Sequence, residues 1–406
     1  MNLTNRTLFI ADNLEVMRGI DSDCVDLIYL DPPFNSKKDY EAADNSIAAG
    51  ASFKDVWDDD DVNSEWETEI TEYNSHLYQL IQVSESLYDK SMKAYLLMLS
   101  IRMIEMHRIL KPTGSIYLHC DPTASHYLKL VMDVVFEKSN FRNEIIWQRR
   151  SAHNSSPKNY GRIHDTIFFY SKNKKNAKWN RQYDPHSKAY IKKNYCNSDK
   201  NGRYRLTPLI QQGVNQGESS LPWRNFSPAS IGKYWAAPLT GTYAQYIEKY
   251  LIPNYKQIKS VHDRLNALDE VGVIHYPKNG GNPRIKQYLD GTPGRPNQDI
   301  ITNIKMGAKC NERTGYPTQK PIALLERIIK TSSNEGDLVL DPFCGCATAC
   351  VAAENLDRQW VGIDISNHTE KLAKIRFKKE VDTQMPLFKP TVNINVQRTP
   401  PTRSQQ

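Results

Sequence analysis

Apolar residues recur along this chain in two textures. Short, nearly continuous apolar runs read as buried strands: Thr7 to Ile10, Val25 to Leu30, Ser115 to His119, Asn143 to Trp147, Asp337 to Asp341 and Trp360 to Asp364. Between them the apolar spacing becomes helical. Leu14, Met17 and Ile20 share one face, and residues 88 to 110 carry Tyr95, Leu96, Leu99, Met103, Met106 and Leu110 on another, ending at Lys111-Pro112-Thr113-Gly114. Ser125 to Phe136, a segment with Leu324, Leu325, Ile328 and Ile329, and Ala349 to Leu356 add further helices. Strand alternating with helix predicts a parallel sheet covered on both faces.

The pattern breaks in two places. Asn35 to Asn63 is polar and aperiodic, and a loop this long inside a domain is usually functional or disordered. It starts beside the end of a strand, so we expect a mobile flap. From about residue 150 the chain turns basic and aromatic, with Tyr160, Phe168, Phe169, Tyr170, Trp179, Tyr183, Tyr190, Tyr195 and Tyr204, then Trp223, Phe226, Tyr234 and Trp235. Glycines and prolines between 280 and 296 mark a connector before the α/β texture returns. The expected division is one domain from 1–150 and 311–385, an inserted module at 151–310, and a Pro-, Gln-, Asn- and Thr-rich disordered tail at 386–406.

Composition and charge narrow the class. A chain of 406 residues with 39% hydrophobic and 24% charged residues describes a globular protein. The apolar run Tyr95 to Leu110 contains Arg102, Glu105, His107 and Arg108, which makes it an amphipathic helix and no membrane span. The first residues lack a signal-peptide core, and seven unevenly spaced cysteines make no disulfide framework, so a cytoplasmic setting is expected. Residues 149 to 205 hold 15 Lys or Arg against three Asp, an excess of +12, whereas residues 55 to 72 hold nine Asp or Glu and no base. Such separation favours a polyanion partner on one surface over two merely solvated faces. Lys and Arg bind phosphates and rings stack on bases, although any single ring is more often core.

Candidate chemistry sits at strand ends, where open α/β sheets bind ligands. Asp31-Pro32-Pro33-Phe34 closes the Val25 to Leu30 strand. The prolines stiffen the turn and leave carbonyls able to accept hydrogen bonds. A carboxylate, a rigid carbonyl and a ring within four residues suit a planar amine; an ordinary Pro-Pro turn is the competing reading. Asp12 also follows a strand, either lining the same crevice or capping a helix. Asp341 begins the small-residue loop Pro342-Phe343-Cys344-Gly345-Cys346-Ala347-Thr348, and Asp364 follows 23 residues on. Strand, loop, helix and an acid about 20 residues later is the logic of adenosine-type cofactor binding. The loop has one glycine and no Gly-Lys-Ser or Gly-Lys-Thr, which excludes a P-loop and favours a cofactor without phosphates. Cys344, Cys346 and Cys350 do not space as common zinc ligands and read as small thiols packing the loop.

Taken together, Asp31-Pro32-Pro33-Phe34, Asp341-Pro342-Phe343-Cys344-Gly345 with Thr348, and Tyr316-Pro317-Thr318-Gln319-Lys320-Pro321 resemble the motifs of the β-class amino-methyltransferases of DNA, of the restriction-modification type, over roughly residues 7 to 171 and 311 to 375. The order of the blocks, catalytic first and cofactor last around an insert, is the circular order that names the class. The resemblance implies an α/β Rossmann-like methyltransferase sheet, mostly parallel, with an inserted target-recognition domain, and S-adenosyl-L-methionine as methyl donor. It implies catalysis by Asp31, Pro32, Pro33 and Phe34. Cofactor contacts are implied for Asp12, Asp31, Thr318, Gln319, Lys320, Asp341, Phe343, Cys344, Gly345, Thr348, Asp364 and Ile365, with Asp364 on the ribose and residues 318–320 near the methionine end. Double-stranded DNA is the implied partner; a homodimer and a cognate restriction nuclease are partners open to the family, and no membrane or metal is implied. Ala347 departs from a position often held by glycine, tolerable if its φ is negative.

An exocyclic base amine is a poor nucleophile because its lone pair is delocalised into the ring. Acceptors at Asp31 and the Pro32 carbonyl would localise that lone pair toward a methyl group, with Phe34 stacked on a base taken out of the duplex. Aspartate first in the motif favours adenine N6, with cytosine N4 the second choice. A catalytically silent DNA-binding protein, or a methyltransferase acting on RNA or protein amines, are the competing classes.

Overall fold

The computed structural model describes residues 2–151, 158–213, 217–307, 310–381 and 391–404. They form two compact units, one of residues 1–182 with 298–406 and one of Tyr183–Asn297. In the first unit the chain runs β1 (Thr7–Ile10), α1 (Asn13–Gly19), β2 (Val25–Leu30), β3 (Lys38–Glu41), β4 (Ser52–Asp55), α2 (Ser64–Tyr73), α3 (Ser75–Leu87), α4 (Lys90–Ile109), β5 (Leu110–Cys120), α5 (Ser125–Val135), β6 (Phe141–Gln148) and β7 (His164–Ser171). The second unit holds β8 (Tyr183–Asp184), α6 (Lys188–Asn194), β9 (Asn197–Asp199), β10 (Gly202–Pro208), β11 (Ile210–Gln212), β12 (Lys233–Trp235), α7 (Gly241–Tyr250), α8 (Val261–Glu270), β13 (Ile274–His275), β14 (Arg284–Tyr288) and β15 (Arg295–Pro296). The first unit then resumes with β16 (Ile300–Ile301), α9 (Ile322–Ser332), β17 (Leu338–Asp341), α10 (Thr348–Asn355), β18 (Gln359–Asp364), α11 (Asn367–Glu380) and β19 (Asn395–Gln397).

Nine strands of the first unit make one sheet, ordered β16-β6-β7-β5-β2-β17-β18-β1-β19. All neighbours are parallel except β7, which runs against both β5 and β6. The expected mostly parallel α/β sheet is therefore present. β2 shows how the residues build it. All six of its residues are buried; Val25, Ile28 and Leu30 enter one core with Leu14, Met17 and the apolar face of α4, while Leu27 and Tyr29 enter a second with Leu324, Ile328 and Val351. Alternation along the strand puts a core on each face. Short polar side chains start the covering helices: Asp12 caps α1, Asn63 caps α2, Asn74 caps α3 and Asp89 caps α4. No helix among the described residues is long and apolar enough to cross a membrane.

The second unit has its own core of Leu209, Trp223, Trp235, Ile247, Leu265, Leu268, Ile285 and Tyr288 under the antiparallel sheet β13-β14-β10-β9. Its limits at 183 and 297 are narrower than the expected insert of 151–310. The segment 164–171 is a central strand of the large sheet, and Phe168, Phe169 and Tyr170 are buried there, so these three rings are core and do not face a nucleic acid. Residues 152–157 of the basic stretch lie outside the described residues. Some of its cations are engaged locally, as where Lys178 bridges Asp26 and Asp337 at 2.8 and 2.6 Å.

One gap in the sequence reading is filled and one expectation is corrected. Residues 64–87, to which the sequence reading assigned no element, form α2 and α3 and seat Ile70, Leu77 and Ile81 in the core. The tail expected to be disordered is partly sheet: residues 382–390, 405 and 406 lie outside the described residues, but β19 pairs in parallel with β1. Asn2 donates to the Thr402 carbonyl at 2.6 Å, and the Ser404 hydroxyl donates to Asp21 at 2.9 Å. β19 covers backbone groups of β1 that an edge strand would leave unpaired. Deleting residues 391–406 is expected to lower stability by roughly 2 kcal/mol, on the scale of one buried aliphatic side chain with its strand pairing; a denaturant midpoint equal to that of the full chain would contradict this.

Candidate active site

Four parallel neighbours, β2, β17, β18 and β1, deliver their carboxyl ends to one edge of the sheet. Asp31 leaves β2, Asp341 ends β17, Asp364 ends β18 and Asp12 follows β1. They line a cavity of about 800 Å³, together with Pro32, Pro33, Phe34, Thr318, Gln319, Lys320, Phe343, Cys344, Gly345, Thr348 and Ile365. Every site residue expected from the sequence thus meets in one place, although Asp31 and Asp341 are some 300 positions apart. Eight carboxyl side chains line the cavity against three cations, Lys54, Arg102 and Lys320. The chamber suits a positively charged ligand.

Lys320 joins the two halves. Its buried Nζ donates to Asp31 Oδ2 and, at 3.1 Å, to the Thr318 carbonyl, and lies 5.3 Å from the centre of the Phe34 ring. Asp31 Oδ1 is buried and has no hydrogen-bond partner among the described residues. A buried acceptor left unpaired is costly, so this oxygen is the clearest sign that the site expects a donor from outside the chain.

The loop after β17 is clamped. Phe343 N–H donates to Asp341 Oδ1 at 3.2 Å, and Asp364 accepts from Gly345 N–H at 2.7 Å and Ser366 N–H at 2.8 Å. Burial pushes the Asp341 carboxyl well above the usual range against the Phe343 bond, and the charges of Asp31 and Asp364 add to the rise. Burial likewise raises Asp364 in spite of its two backbone bonds. Gly345 has φ +49°, and a Cβ there would press on the Tyr316 ring at 3.1 Å. Below the loop, Cys344, Cys346 and Cys350 are buried thiols. Buried Arg376 donates to the Cys346 carbonyl at 2.9 Å and to the Thr348 hydroxyl at 2.6 Å. The Thr348 hydroxyl is thereby tied to the loop's own support. Gln319 is similarly engaged, accepting from the Thr314 N–H and hydroxyl at 2.8 Å and donating to the Glu312 carbonyl at 2.6 Å. Asp12 fills both of its expected roles: it caps α1 and accepts from Arg102 at 2.9 Å while lining the cavity.

The segment expected to be a mobile flap is a hairpin, β3 paired with β4, that walls the cavity with Tyr40, Phe53, Lys54 and Asp55. Tyr40, Phe53 and Tyr316 stack in series, with centres 5.0 and 6.0 Å apart. Ala42, Ala48 and Ala51 pack on Cys346 and Leu372, and buried Asp55 accepts from Asn35 N–H at 2.7 Å and Ser36 N–H at 3.0 Å, pinning the chain just past Phe34. Sequence reading missed these residues because antiparallel pairing across a turn-rich, polar segment leaves little periodicity; the isolated rings Tyr40 and Phe53 were the available signal.

The family model for DNA methylases matches residues 25–375. Among curated relatives, the type II methyltransferase M.EcaI of Enterobacter cloacae is 33% identical over 297 residues, covering 72% of this chain and 60% of the relative. The Mod subunit of the type III restriction-modification enzyme StyLTI of Salmonella typhimurium is 26% identical over 384 residues, covering 88% of this chain and 51% of the subunit. The DNA adenine methyltransferase YhdJ of Escherichia coli is 21% identical over 367 residues, covering 90% of this chain and 81% of the relative. The chain therefore spans only about half to three-fifths of the length of the first two.

Ala347 is the one expectation about the loop that fails. Its φ is +60°, in the left-handed region, where a Cβ costs about 1–2 kcal/mol. Ala347→Gly relieves that strain at some cost in unfolded-state entropy, so it is expected to stabilise the protein by up to about 1 kcal/mol; a lower thermal midpoint for this variant would contradict the assignment.

Proposed function

The chain belongs to the DNA methylase family, and on that premise we propose that it moves a methyl group from S-adenosylmethionine to the N6 amine of an adenine flipped out of double-stranded DNA. The observation that carries this reading is the unpartnered, buried Asp31 Oδ1 in the same chamber as the Asp341 to Asp364 loop. A buried carboxylate oxygen kept without a partner at the strand end favours a site that receives a donor over a catalytically silent DNA-binding protein.

The residues fit the donor. S-adenosylmethionine supplies a methyl group on a positively charged sulfur. The carboxyl-rich lining favours that charge, and Gly345 keeps clear the space that a side chain would take. Each Asp364 oxygen accepts one backbone N–H and keeps lone pairs for ribose hydroxyls. Lys320, Thr318 and the Arg102 that bridges Asp12 and Asn13 (Nε to Asn13 at 2.6 Å) are the polar groups for the amino-acid end.

Asp31 and Phe34 carry out the transfer step. With Oδ2 held by Lys320, Oδ1 is oriented to accept one amine N–H, and the Pro32 carbonyl accepts the other. The lone pair would then be localised on nitrogen to attack the donor's methyl carbon, the sulfur–carbon electron pair would stay with sulfur as a neutral thioether, and the extra proton on nitrogen would pass to solvent. Fixed acceptors and alignment supply the rate. Phe34 offers a face for the base, whose removal from the stack costs a few kcal/mol that such contacts must offset. The adenine preference rests on the Asp-first motif and on the likeness to an adenine methyltransferase. The likeness to a Mod subunit of a restriction-modification enzyme supports a restriction nuclease as a partner, and a DNA substrate is compatible with the cytoplasm.

Asp31→Ala is expected to lower transfer from labelled S-adenosylmethionine to duplex DNA by 10²–10³-fold, roughly the cost of removing one such electrostatic contact, with duplex affinity changed little. Undiminished transfer would remove Asp31 from the mechanism. Modified-base sequencing of DNA from cells expressing the chain identifies the product; methyl groups on cytosine N4 in place of adenine N6 would correct the substrate.

Charge in the chamber sets a second expectation. A cation binds the ionised forms of Asp341 and Asp364, whose carboxyls burial raises. Binding should therefore release protons and tighten as pH rises through the range above the usual carboxylate values, where these raised groups still hold protons in the free protein. Calorimetry in two buffers of different ionisation enthalpy measures this; an affinity flat over that range with no proton release would contradict it.

A further inference from the structure

His119 takes no part in the transfer step, yet it is completely buried at the end of β5, beside Asp31. Its imidazole is held on both nitrogens. Nδ1 lies 2.9 Å from the Tyr29 hydroxyl and Nε2 lies 3.2 Å from Asp165 Oδ2, which β7 brings to the same edge. The Trp147 ring meets it edge-on, with centres 5.6 Å apart. Its flat face stacks on Phe34 at 5.9 Å and 18°. Asp165 is itself buried, and Arg149 Nε stands 3.4 Å from its second oxygen.

We propose that His119 is a positioning residue for Phe34, held by Tyr29 and Asp165 so that the ring presents a fixed face to the target base. This rests on the reading of the chamber as a base pocket. The competing view is a histidine that merely fills the core. Filling space does not call for a buried carboxylate, since apolar residues of similar volume pack such a site as well or better. A buried carboxylate and a phenol that together fix the plane of one ring, which in turn backs the one aromatic side chain of the catalytic turn, are what orientation calls for. The hydrogen-bond roles are consistent: with a neutral imidazole the Tyr29 O–H donates to Nδ1 and Nε2–H donates to Asp165. Pro32 and Pro33 set the path of the turn but leave the Phe34 side-chain torsions open, and the stack on His119 closes that freedom.

The test separates packing from positioning. In the double variant His119→Phe with Asp165→Leu, an apolar pair replaces the polar one but leaves the Tyr29 hydroxyl without its partner, so the full-length protein should fold with a thermal midpoint lowered only modestly. Its affinity for S-adenosylmethionine should stay within a few-fold, while kcat on duplex DNA falls on the order of 10- to 100-fold with KM little changed, as a misplaced reacting group would give. A para-fluorophenylalanine label at position 34 should show a shifted and broadened fluorine resonance in the variant. Unchanged kcat with an unchanged resonance would make His119 core filler and overturn the proposal. Tyr29→Phe, which removes a single hydroxyl, gives the same two readouts at smaller amplitude should the double variant fail to fold, and an unmoved resonance there also overturns it. If the unsubstituted protein methylates no DNA, the function reading fails; the fluorine resonance still decides whether His119 fixes Phe34.

Discussion

The ion pair between Lys320 and Asp31 is the contact on which the chamber depends. It joins residues 289 positions apart, and both partners are largely buried. In such a place leaving either charge unpaired is costly, so the Asp31–Phe34 turn after β2 and the loop before α9 are held together. The pair also divides Asp31 into two unequal oxygens. One is held by the lysine and fixes the carboxylate plane. The other is buried and unpaired among the described residues, and the chemistry proposed for Asp31 depends on that inequality.

The sheet makes the encounter possible. β17 lies directly beside β2, with Leu340 opposite Ile28, so the acids that follow each strand emerge at one edge. Parallel neighbours concentrate negative charge there, and the chain manages it in two ways. Arg102 and Lys320 neutralise Asp12 and Asp31 directly. Asp341 and Asp364 instead sit under backbone N–H groups, with their carboxyls raised by burial. The hairpin over them restricts solvent access further, because Asp55 ties its base to the turn that carries Phe34.

Much of this was legible from residues alone. The runs Thr7 to Ile10 and Val25 to Leu30 match β1 and β2 residue for residue, because strands buried on both faces are written as nearly continuous apolar stretches, here interrupted by the buried Asp26. The acids at strand ends were legible for the same reason. What stayed hidden depends on contacts distant in sequence. β7 reads as part of a basic, aromatic stretch, and only its pairing with β5 and β6 shows Phe168 to Tyr170 to be core. β19 is three residues, a single valine between Asn395 and Gln397, too short a run to read as a strand without its pairing to β1. The φ of Ala347 is set by the tight turn between Cys344 and Val351, where two backbone bonds close around it, and residue type did not foretell it.

The pairing of β19 with β1 brings residue 402 to within a hydrogen bond of residue 2. For the sheet, then, the order of the strands in space and their order along the chain are nearly independent. A short peptide bridging these two segments would close the backbone into a ring with little strain, and new ends opened in a surface connection would leave each strand beside its present neighbours. Which motif is written first would become an accident of where the ring is cut, with the chamber at the carboxyl edge unchanged.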